Sequence, residues 1–146
     1  MPYMPKIFMI DRKNSEISEL FESSYESESV LQKHLAEHPD LIPGDQINAE
    51  SPRKWILVQR EMGIPSSAES GDLWSVDHLF LDQDGIPTFI ECKRSSDTRG
   101  RREVVAQMLD YAANATEFWC IDKIVKCASE TYASRSQNIE DELSRI

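Results

Sequence analysis

The sequence predicts an α/β domain in which paired strands lie beside amphipathic helices. One stretch before Pro39 and another after residue 98 carry apolar residues near the helical period of 3.6, whereas the stretches around DQDG are apolar in the manner of strands. A chain of 146 residues fits one domain, which buries about 68 to 70 % of the surface that the unfolded chain exposes. We therefore expect a single domain, residues 1–146, with its core over about residues 28–121.

The first clear helix is predicted in SESVLQKHLAEHPD, where apolar residues recur near the helical period. Ser27 is a suitable N-cap, and Pro39 ends the helix at or before His38. An earlier helical turn is expected over residues 17–21.

Three strands are predicted in the middle of the chain. KWILVQREM has the continuous apolar run of a buried strand. Residues 73–81 and 86–93 flank DQDG, the strongest hairpin signal in the sequence. Because Pro87 cannot donate a backbone hydrogen bond, we expect it near a strand end or on an edge strand.

The remaining third of the chain is predicted to be mostly helical. A helix over residues 98–115 has one apolar face. The apolar FWCI, residues 118–121, is expected to form a strand, and Asp122 to cap a following helix. The polar tail, residues 135–146, ends in the helical pattern NIEDELSRI, which is compatible with a chain that is the front part of a longer protein.

The turn in DQDG decides which residues of the hairpin face each other. If Gly85 takes the left-handed position of a three-residue loop, Asp82 faces Ile86. A two-residue loop centred on Asp84 and Gly85 would shift the pairing by one residue and turn every side chain of one strand to the other face. Two registers are therefore open.

In the first register Asp77 faces Glu91. Facing residues point to the same side with Cβ atoms about 4.5 to 5.5 Å apart, and Lys93 shares that side because side chains alternate along a strand. In the second register the two carboxylates lie on opposite sides. The first register therefore predicts two carboxylates and an amine on one face. The other face is then core and carries Val76, Phe80, Ile90 and Cys92.

This set of side chains suits phosphodiester hydrolysis. Two carboxylates so close together repel unless a cation lies between them, and Mg²⁺ binds one or two carboxylates together with waters and phosphate oxygens. Lys93 can orient or deprotonate a metal-bound water and offset the negative charge that develops on the phosphate. The alternative is an ordinary surface ion pair between Glu91 and Lys93, with Asp77 at a strand end.

Asp77 followed by Glu91-Cys92-Lys93 resembles the D…ExK pattern of the PD-(D/E)xK nuclease superfamily, in which a strand hairpin carries the motif between helices. Val76 stands where the superfamily name has proline. The resemblance implies a restriction-endonuclease-like core, which is a mixed central sheet flanked by helices. It also implies a Mg²⁺ or Mn²⁺ ion held by Asp77, Glu91 and the backbone carbonyl of Cys92.

Two further matches lie in the predicted helices. Gln107 and Tyr111 match the QxxxY motif of the RecB-like branch, and SESVLQKHLAEHPDLI resembles the opening helix of NucS-type endonucleases, with Glu28 at its acidic position. The resemblance implies that Gln107 and Tyr111 contact Lys93, a metal water or a DNA phosphate, and that Glu28 supports the metal site. From the residues alone, an ordinary helix flank and a solvated first-turn acid remain open.

The stretch DHLFLDQDGIPTFIECKRSSDTRGRREVVAQMLDYAAN also resembles a widespread group of uncharacterised bacterial proteins in this superfamily. The expected function is metal-dependent hydrolysis of DNA in repair, restriction or defence. The alternative is a non-catalytic nucleic-acid-binding or interaction module that keeps the nuclease fold. A homodimer is compatible with either function.

The formal net charge of -10 would repel nucleic acid unless basic residues cluster on one surface. Five of the 16 basic residues fall within the ten positions that begin at Lys93. We expect this patch to bind DNA phosphates, with local ion pairs as the alternative. Besides Lys93 it comprises Arg94, Arg99, Arg101 and Arg102.

The cysteine pattern and the hydropathy of the sequence indicate where in the cell the protein is expected. Cys92, Cys120 and Cys127 form no CxxC unit and cannot all pair with one another. No apolar run approaches the roughly 18 residues of a membrane span, and the first residues lack the pattern of a signal peptide. These observations favour the reducing cytoplasm and no membrane partner.

Overall fold

The computed structural model has a mixed α/β fold with a small antiparallel sheet flanked by helices. It describes residues 6–67, 71–94 and 101–146, with the backbone alone at residue 101. The described strands are β1 (Ile7–Ile10), β2 (Ile17–Leu20), β3 (Trp55–Pro65), β4 (Asp72–Asp82) and β5 (Pro87–Ile90). The described helices are α1 (Glu28–Glu37), α2 (Gly44–Ile47), α3 (Arg101–Phe118), α4 (Ile121–Ser134) and α5 (Ile139–Leu143), with a 3₁₀ turn at Pro39–Leu41.

The first two strands form a separate antiparallel hairpin in which Ile7 pairs with Leu20 and Ile10 with Ile17. The prediction of a helical turn over residues 17–21 is therefore wrong. A reverse turn closes the hairpin, where the backbone N–H of Ser15 donates to the carbonyl of Asp11 and Ser15 has a φ of 58°. This turn directs the chain back along β1, so the apolar spacing of residues 17–21 belongs to a strand.

The central sheet has the order β3-β4-β5, and both pairings are antiparallel, whereas a mixed sheet was expected; the described strands include no parallel pair. In the β4–β5 turn Gly85 has a φ of 75°, and the backbone N–H of Asp82 donates to the carbonyl of Ile86 at 3.2 Å. The observed pairing of His78 with Ile90 and of Leu81 with Pro87 belongs to the register predicted for the three-residue loop. The prediction that Pro87 lies near the end of a strand is also confirmed.

Strand β5 is shorter than predicted, because its pairing ends at Ile90 rather than at Lys93. Beyond Ile90, the backbone N–H of Cys92 donates to the Asp77 carboxylate instead of to a carbonyl of β4. The Asp77 side chain thus replaces a backbone carbonyl as the hydrogen-bond acceptor at the point where the charged residues begin.

Helices cover both faces of the sheet, which explains the continuous apolar run at the start of β3, residues 55–58. On one face Leu57 and Phe80 pack with Ala36 of α1. On the other face Val58 and Leu79 pack with α3 and α4. The predicted core positions Val76, Phe80 and Cys92 are buried. The prediction of one shared core face is wrong, because Val76 packs in the cluster with α3 and α4, whereas Phe80 and Ile90 pack in the cluster with α1.

The predicted end of α1 and its N-cap at Ser27 are confirmed, as is a helix in NIEDELSRI. The predicted strand in FWCI is wrong. Phe118 ends α3, Cys120 is the N-cap of α4, and Asp122 lies in the first turn of α4 rather than at its cap. The apolar character of FWCI reflects packing, since Trp119 contacts Phe89 and donates its indole N–H to the carbonyl of Gly63.

The predicted start of the second helix at residue 98 lies outside the described residues, and the helix runs beyond its predicted end at residue 115. Within the described ranges, none of the helices has the length and apolar character that spanning a membrane requires.

Candidate active site

The hairpin register brings Asp77 and Glu91 together at one end of β4 and β5. The last paired residues are His78 and Ile90, so Asp77 and Glu91 occupy the next opposed positions. The Asp77 Oδ2 atom accepts a 2.7 Å hydrogen bond from the backbone N–H of Cys92. This bond holds the segment after β5 against β4 and keeps the two carboxylates at the same strand end.

Glu91 is deeply buried, with only 6 % of its side-chain surface exposed. Its Oε1 atom accepts hydrogen bonds from Lys93 Nζ at 2.7 Å and from Gln107 Nε2 at 3.2 Å. Its Oε2 atom is buried and has no hydrogen-bond partner within the described residues. A buried carboxylate oxygen without a partner is costly, and native proteins seldom leave one.

Lys93 supplies the positive charge of the site. The hydrogen bond to Glu91 raises the pKa of Lys93, against a smaller lowering by burial, and the negative charges of Glu91, Asp77 and Glu28 add to the increase. Glu91 contacts this amine directly, and the charges of Asp77 and Glu28 act on it from farther away.

Helix α3 contributes Gln107 and Tyr111, which lie one turn apart on the same stripe. Gln107 Nε2 donates to the Tyr111 hydroxyl at 2.6 Å as well as to Glu91. Tyr111 is buried in the core between α3 and the sheet. Gln107 thus joins α3 directly to Glu91, which is not one of the predicted partners, and the contacts with a metal water or a DNA phosphate stay predictions.

Glu28 is the first residue of α1, and its side chain reaches the same strand end. Its Oε1 atom accepts a 2.9 Å hydrogen bond from the backbone N–H of Arg94. Its negative charge also contributes to the raised pKa values of Lys93 and Cys92. Glu28 is therefore not the freely solvated acid that the sequence left open.

Cys92 lies between the two charged residues but points its thiol into the protein. Its side chain is buried, and burial together with the nearby Asp77 charge raises the pKa of the thiol to about 11. The thiol is therefore a packing group near neutral pH.

The predicted basic patch is described only in part. The Arg94 guanidinium donates to the backbone carbonyl of Glu26 at 3.0 Å, so in this structure it holds the segment that precedes α1. Arg102 is exposed at the start of α3. Arg99 and the side chain of Arg101 lie outside the described residues.

A second group of polar side chains lies behind the site and was not predicted from the sequence. His78 is fully buried, and its Nε2 atom lies 2.8 Å from the backbone carbonyl of Gln32 in α1. Arg60 Nη2 donates to the side-chain carbonyl of the same Gln32 at 3.2 Å. Burial lowers the pKa of His78, which favours the neutral ring. A histidine inside the apolar run DHLFL was the available signal.

A cleft of about 470 Å³ opens beside Glu28 and Lys93, and its walls include Tyr25, Leu31 and Arg94. Within the described part of the chain, no three His, Cys, Asp or Glu side chains form a group that could by itself hold a metal ion. The site therefore offers two opposed carboxylates at a strand end and a third at a helix start, rather than a closed metal cage.

The chain matches no protein-family model, and no match was found among curated proteins or solved structures.

Proposed function

We propose that this chain is a metal-dependent nuclease that hydrolyses phosphodiester bonds in DNA, built on a restriction-endonuclease-like core. One observation carries the proposal. The Oε2 atom of Glu91 is buried without a partner, while the other oxygen of the same carboxylate is held by Lys93 and Gln107. A bound cation would satisfy this oxygen.

The residues present fit a hard divalent ion. Asp77 and Glu91 would hold it through carboxylate oxygens, with the backbone carbonyl of Cys92 as a further oxygen ligand. Mg²⁺ needs no closed protein cage, since it binds through one or two carboxylates and completes its shell with waters and phosphate oxygens. An arrangement with two opposed carboxylates is therefore more suited to Mg²⁺ or Mn²⁺ than to an ion that requires four protein ligands.

When bound, such an ion polarises the phosphate that is attacked and makes hydroxide accessible near neutral pH. The side chains have separate tasks around it. Gln107 holds one oxygen of Glu91 and so orients the other. Lys93 offsets the negative charge that develops on the phosphate. Tyr111 accepts the hydrogen bond of Gln107 through its oxygen and so fixes the amide that holds Glu91.

Access for DNA is proposed along the cleft beside Glu28 and Lys93. The basic residues that follow Lys93 would bind neighbouring phosphates, whereas the rest of the chain carries the negative charge that dominates its composition. The described cysteines are free thiols, which suits the proposed cytoplasmic location. Repair, restriction and defence are the processes in which such an activity acts.

The test is incubation with single-stranded, duplex and branched DNA, and with RNA, in the presence of Mg²⁺, Mn²⁺ or EDTA. We expect DNA cleavage that EDTA stops and that Lys93→Ala abolishes. Lys126→Ala is the matched control, because Lys126 is an exposed lysine paired with Glu130 far along α4. Unchanged cleavage by Lys93→Ala would overturn the proposal, and binding without cleavage under every metal would favour a non-catalytic module.

A further inference from the structure

Helix α1 carries Glu28 at its first residue but is anchored at its other end. Ala36 is the only residue of α1 that is buried, and its carbonyl accepts a hydrogen bond from Arg135 Nη1 at 3.0 Å. Glu28 lies about two turns from this anchor. Arg94 holds the segment before α1 through the carbonyl of Glu26, and Ala36 fixes the far end of the helix. The turns between these two points need their own contact with the sheet if the Glu28 carboxylate is to keep its place.

That second attachment is Gln32, one turn after Glu28. Its backbone carbonyl lies 2.8 Å from His78 Nε2, and its side-chain carbonyl accepts from Arg60 Nη2 at 3.2 Å. A carbonyl can only accept, so Nε2 of His78 carries the ring proton. Two side chains of the sheet therefore donate hydrogen bonds to α1, and one of them belongs to His78, which directly follows Asp77.

These donors are expensive to bury. The Nδ1 atom of His78 and the Nε atom of Arg60 are both buried without a partner among the residues that the structure describes. An unsatisfied buried polar atom costs stability, and an apolar side chain at either position would avoid that cost. Their presence is explained if the contact with Gln32 serves the site rather than the stability of the fold.

We propose that His78 and Arg60 are positioning residues that fix the first turns of α1 and so hold the Glu28 carboxylate against the backbone N–H of Arg94, beside Asp77 and Glu91. The part of this inference that concerns metal binding rests on the proposed nuclease function. The geometric part does not, because it concerns the hydrogen bond between the Glu28 carboxylate and the backbone N–H of Arg94, in which no ion takes part.

The geometric part is tested by NMR, through the amide proton of Arg94. A hydrogen bond to a carboxylate moves this resonance, and Glu28→Ala defines its position without that bond. We expect His78→Leu to shift the resonance toward the Glu28→Ala position and His78→Gln to restore it, because the glutamine amide can donate from the place of Nε2. Arg60→Met should produce the same shift and serves if His78→Leu does not fold.

Val58→Ala is the matched control, because it removes buried volume on the other face of the sheet without touching Gln32. We expect it to lower stability and to leave the Arg94 resonance in place. An unmoved Arg94 resonance in folded His78→Leu and Arg60→Met would overturn the inference. An equal shift in Val58→Ala would overturn it too, since the effect would then be general loosening.

The metal part is tested by calorimetric titration with Mn²⁺. We expect His78→Leu to weaken binding by about tenfold or more, as loss of a group that orients a ligand commonly does, and to add no further loss in a Glu28→Ala background. If His78→Leu weakened Mn²⁺ binding equally in the wild type and in Glu28→Ala, His78 would not act through Glu28. A wild-type chain that neither binds Mn²⁺ nor cuts DNA would refute the proposed function, and the Arg94 resonance would still decide the geometric inference.

Discussion

The Asp77 carboxylate accepts a 2.7 Å hydrogen bond from the backbone N–H of Cys92, one step beyond the last paired residues of β4 and β5. This bond extends the hairpin with a side chain where the backbone ladder stops. Its consequence is that Glu91 stays opposite Asp77. Glu91 is held there with its Oε2 atom buried and without a partner among the described residues, and a bound cation would satisfy that oxygen.

We therefore expect divalent metal to stabilise the fold through Glu91. Binding to the folded state alone adds about 2.7 kcal/mol to the free energy of unfolding when the metal concentration is one hundred times Kd. Glu91→Gln removes a ligand charge and should lose most of this gain. Thermal unfolding with Mn²⁺ and with EDTA measures it.

The control for this prediction is Glu130→Gln, which removes an exposed acidic side chain from a surface pair with Lys126. Glu130→Gln should gain as much stability from Mn²⁺ as the wild type does. If Glu91→Gln and the wild type gain the same stability from Mn²⁺, the ion binds elsewhere.

A second prediction concerns the turn that sets the register. Gly85 has a φ of 75°, and a Cβ atom there would meet nothing within 4 Å. The cost of Gly85→Ala is therefore one of backbone conformation alone, about 1 to 2 kcal/mol. Gly85→Asn should cost less, because asparagine tolerates the left-handed region better than alanine does. Urea unfolding measures both changes.

Gly71→Ala is the matched control for the turn. A Cβ atom at Gly71 also has open space around it, and Gly71 lies outside the turn that joins β4 and β5. We expect this change to leave stability within about 0.5 kcal/mol of the wild type, as surface substitutions usually do. Equal losses at Gly71 and Gly85 would contradict the role of the left-handed turn.

The hairpin could be predicted in detail because its register depends on local chemistry. Gly85 and the neighbouring aspartates determine the turn, and alternation along the strands then places Asp77 opposite Glu91. The helical spacing of Gln107 and Tyr111 is local in the same sense. The turn with its strand alternation was sufficient to predict that Asp77 and Glu91 lie opposite each other, and the helical spacing was sufficient to predict that Gln107 and Tyr111 share one stripe.

The wrong predictions concern segments whose secondary structure is determined by tertiary contacts. Four apolar residues in FWCI fit a strand, but Trp119 is apolar because it packs on Phe89 and reaches Gly63. Residues 17–21 are too few for their spacing to distinguish a helix from a strand. The contact between His78 and Gln32 joins residues 46 apart in sequence, so it depends on where α1 docks on the sheet and no local pattern predicts it.

A third prediction concerns the link between α3 and Glu91. Gln107→Leu removes the donor that Glu91 and Tyr111 share and leaves the buried phenol oxygen unsatisfied, which should cost about 1 to 3 kcal/mol. Tyr111→Phe removes one hydrogen bond and keeps the contact of Gln107 with Glu91, so it should cost about 0.5 to 1.5 kcal/mol. Urea unfolding of both single variants and of the double variant measures the coupling.

Because the two side chains share one hydrogen bond, the double variant should be more stable than the sum of the single losses implies. Asn114→Ala is the control, since the Asn114 side chain donates to the carbonyl of Asp110 in an exposed contact within the helix. Additive losses for Gln107 and Tyr111 would mean that their 2.6 Å contact does not form in solution.

The three thiols provide a last prediction, which tests whether the strand end around Glu91 stays closed. The thiolate is the form that reacts with iodoacetamide, so both exposure and a low pKa favour labelling. Cys120 is exposed, whereas burial raises the pKa of Cys92 to about 11 and also raises the pKa of Cys127.

Near neutral pH we expect Cys120 to be labelled first, Cys127 slowly, and Cys92 only after denaturation. Peptide mass spectrometry after timed labelling identifies the modified thiol at each stage, and Cys120→Ser should remove the fast reaction without accelerating the others. Labelling of native Cys92 as fast as Cys120 would mean that the segment after β5 opens readily. In that case the hydrogen bond from Cys92 to Asp77 could not hold Glu91 in place.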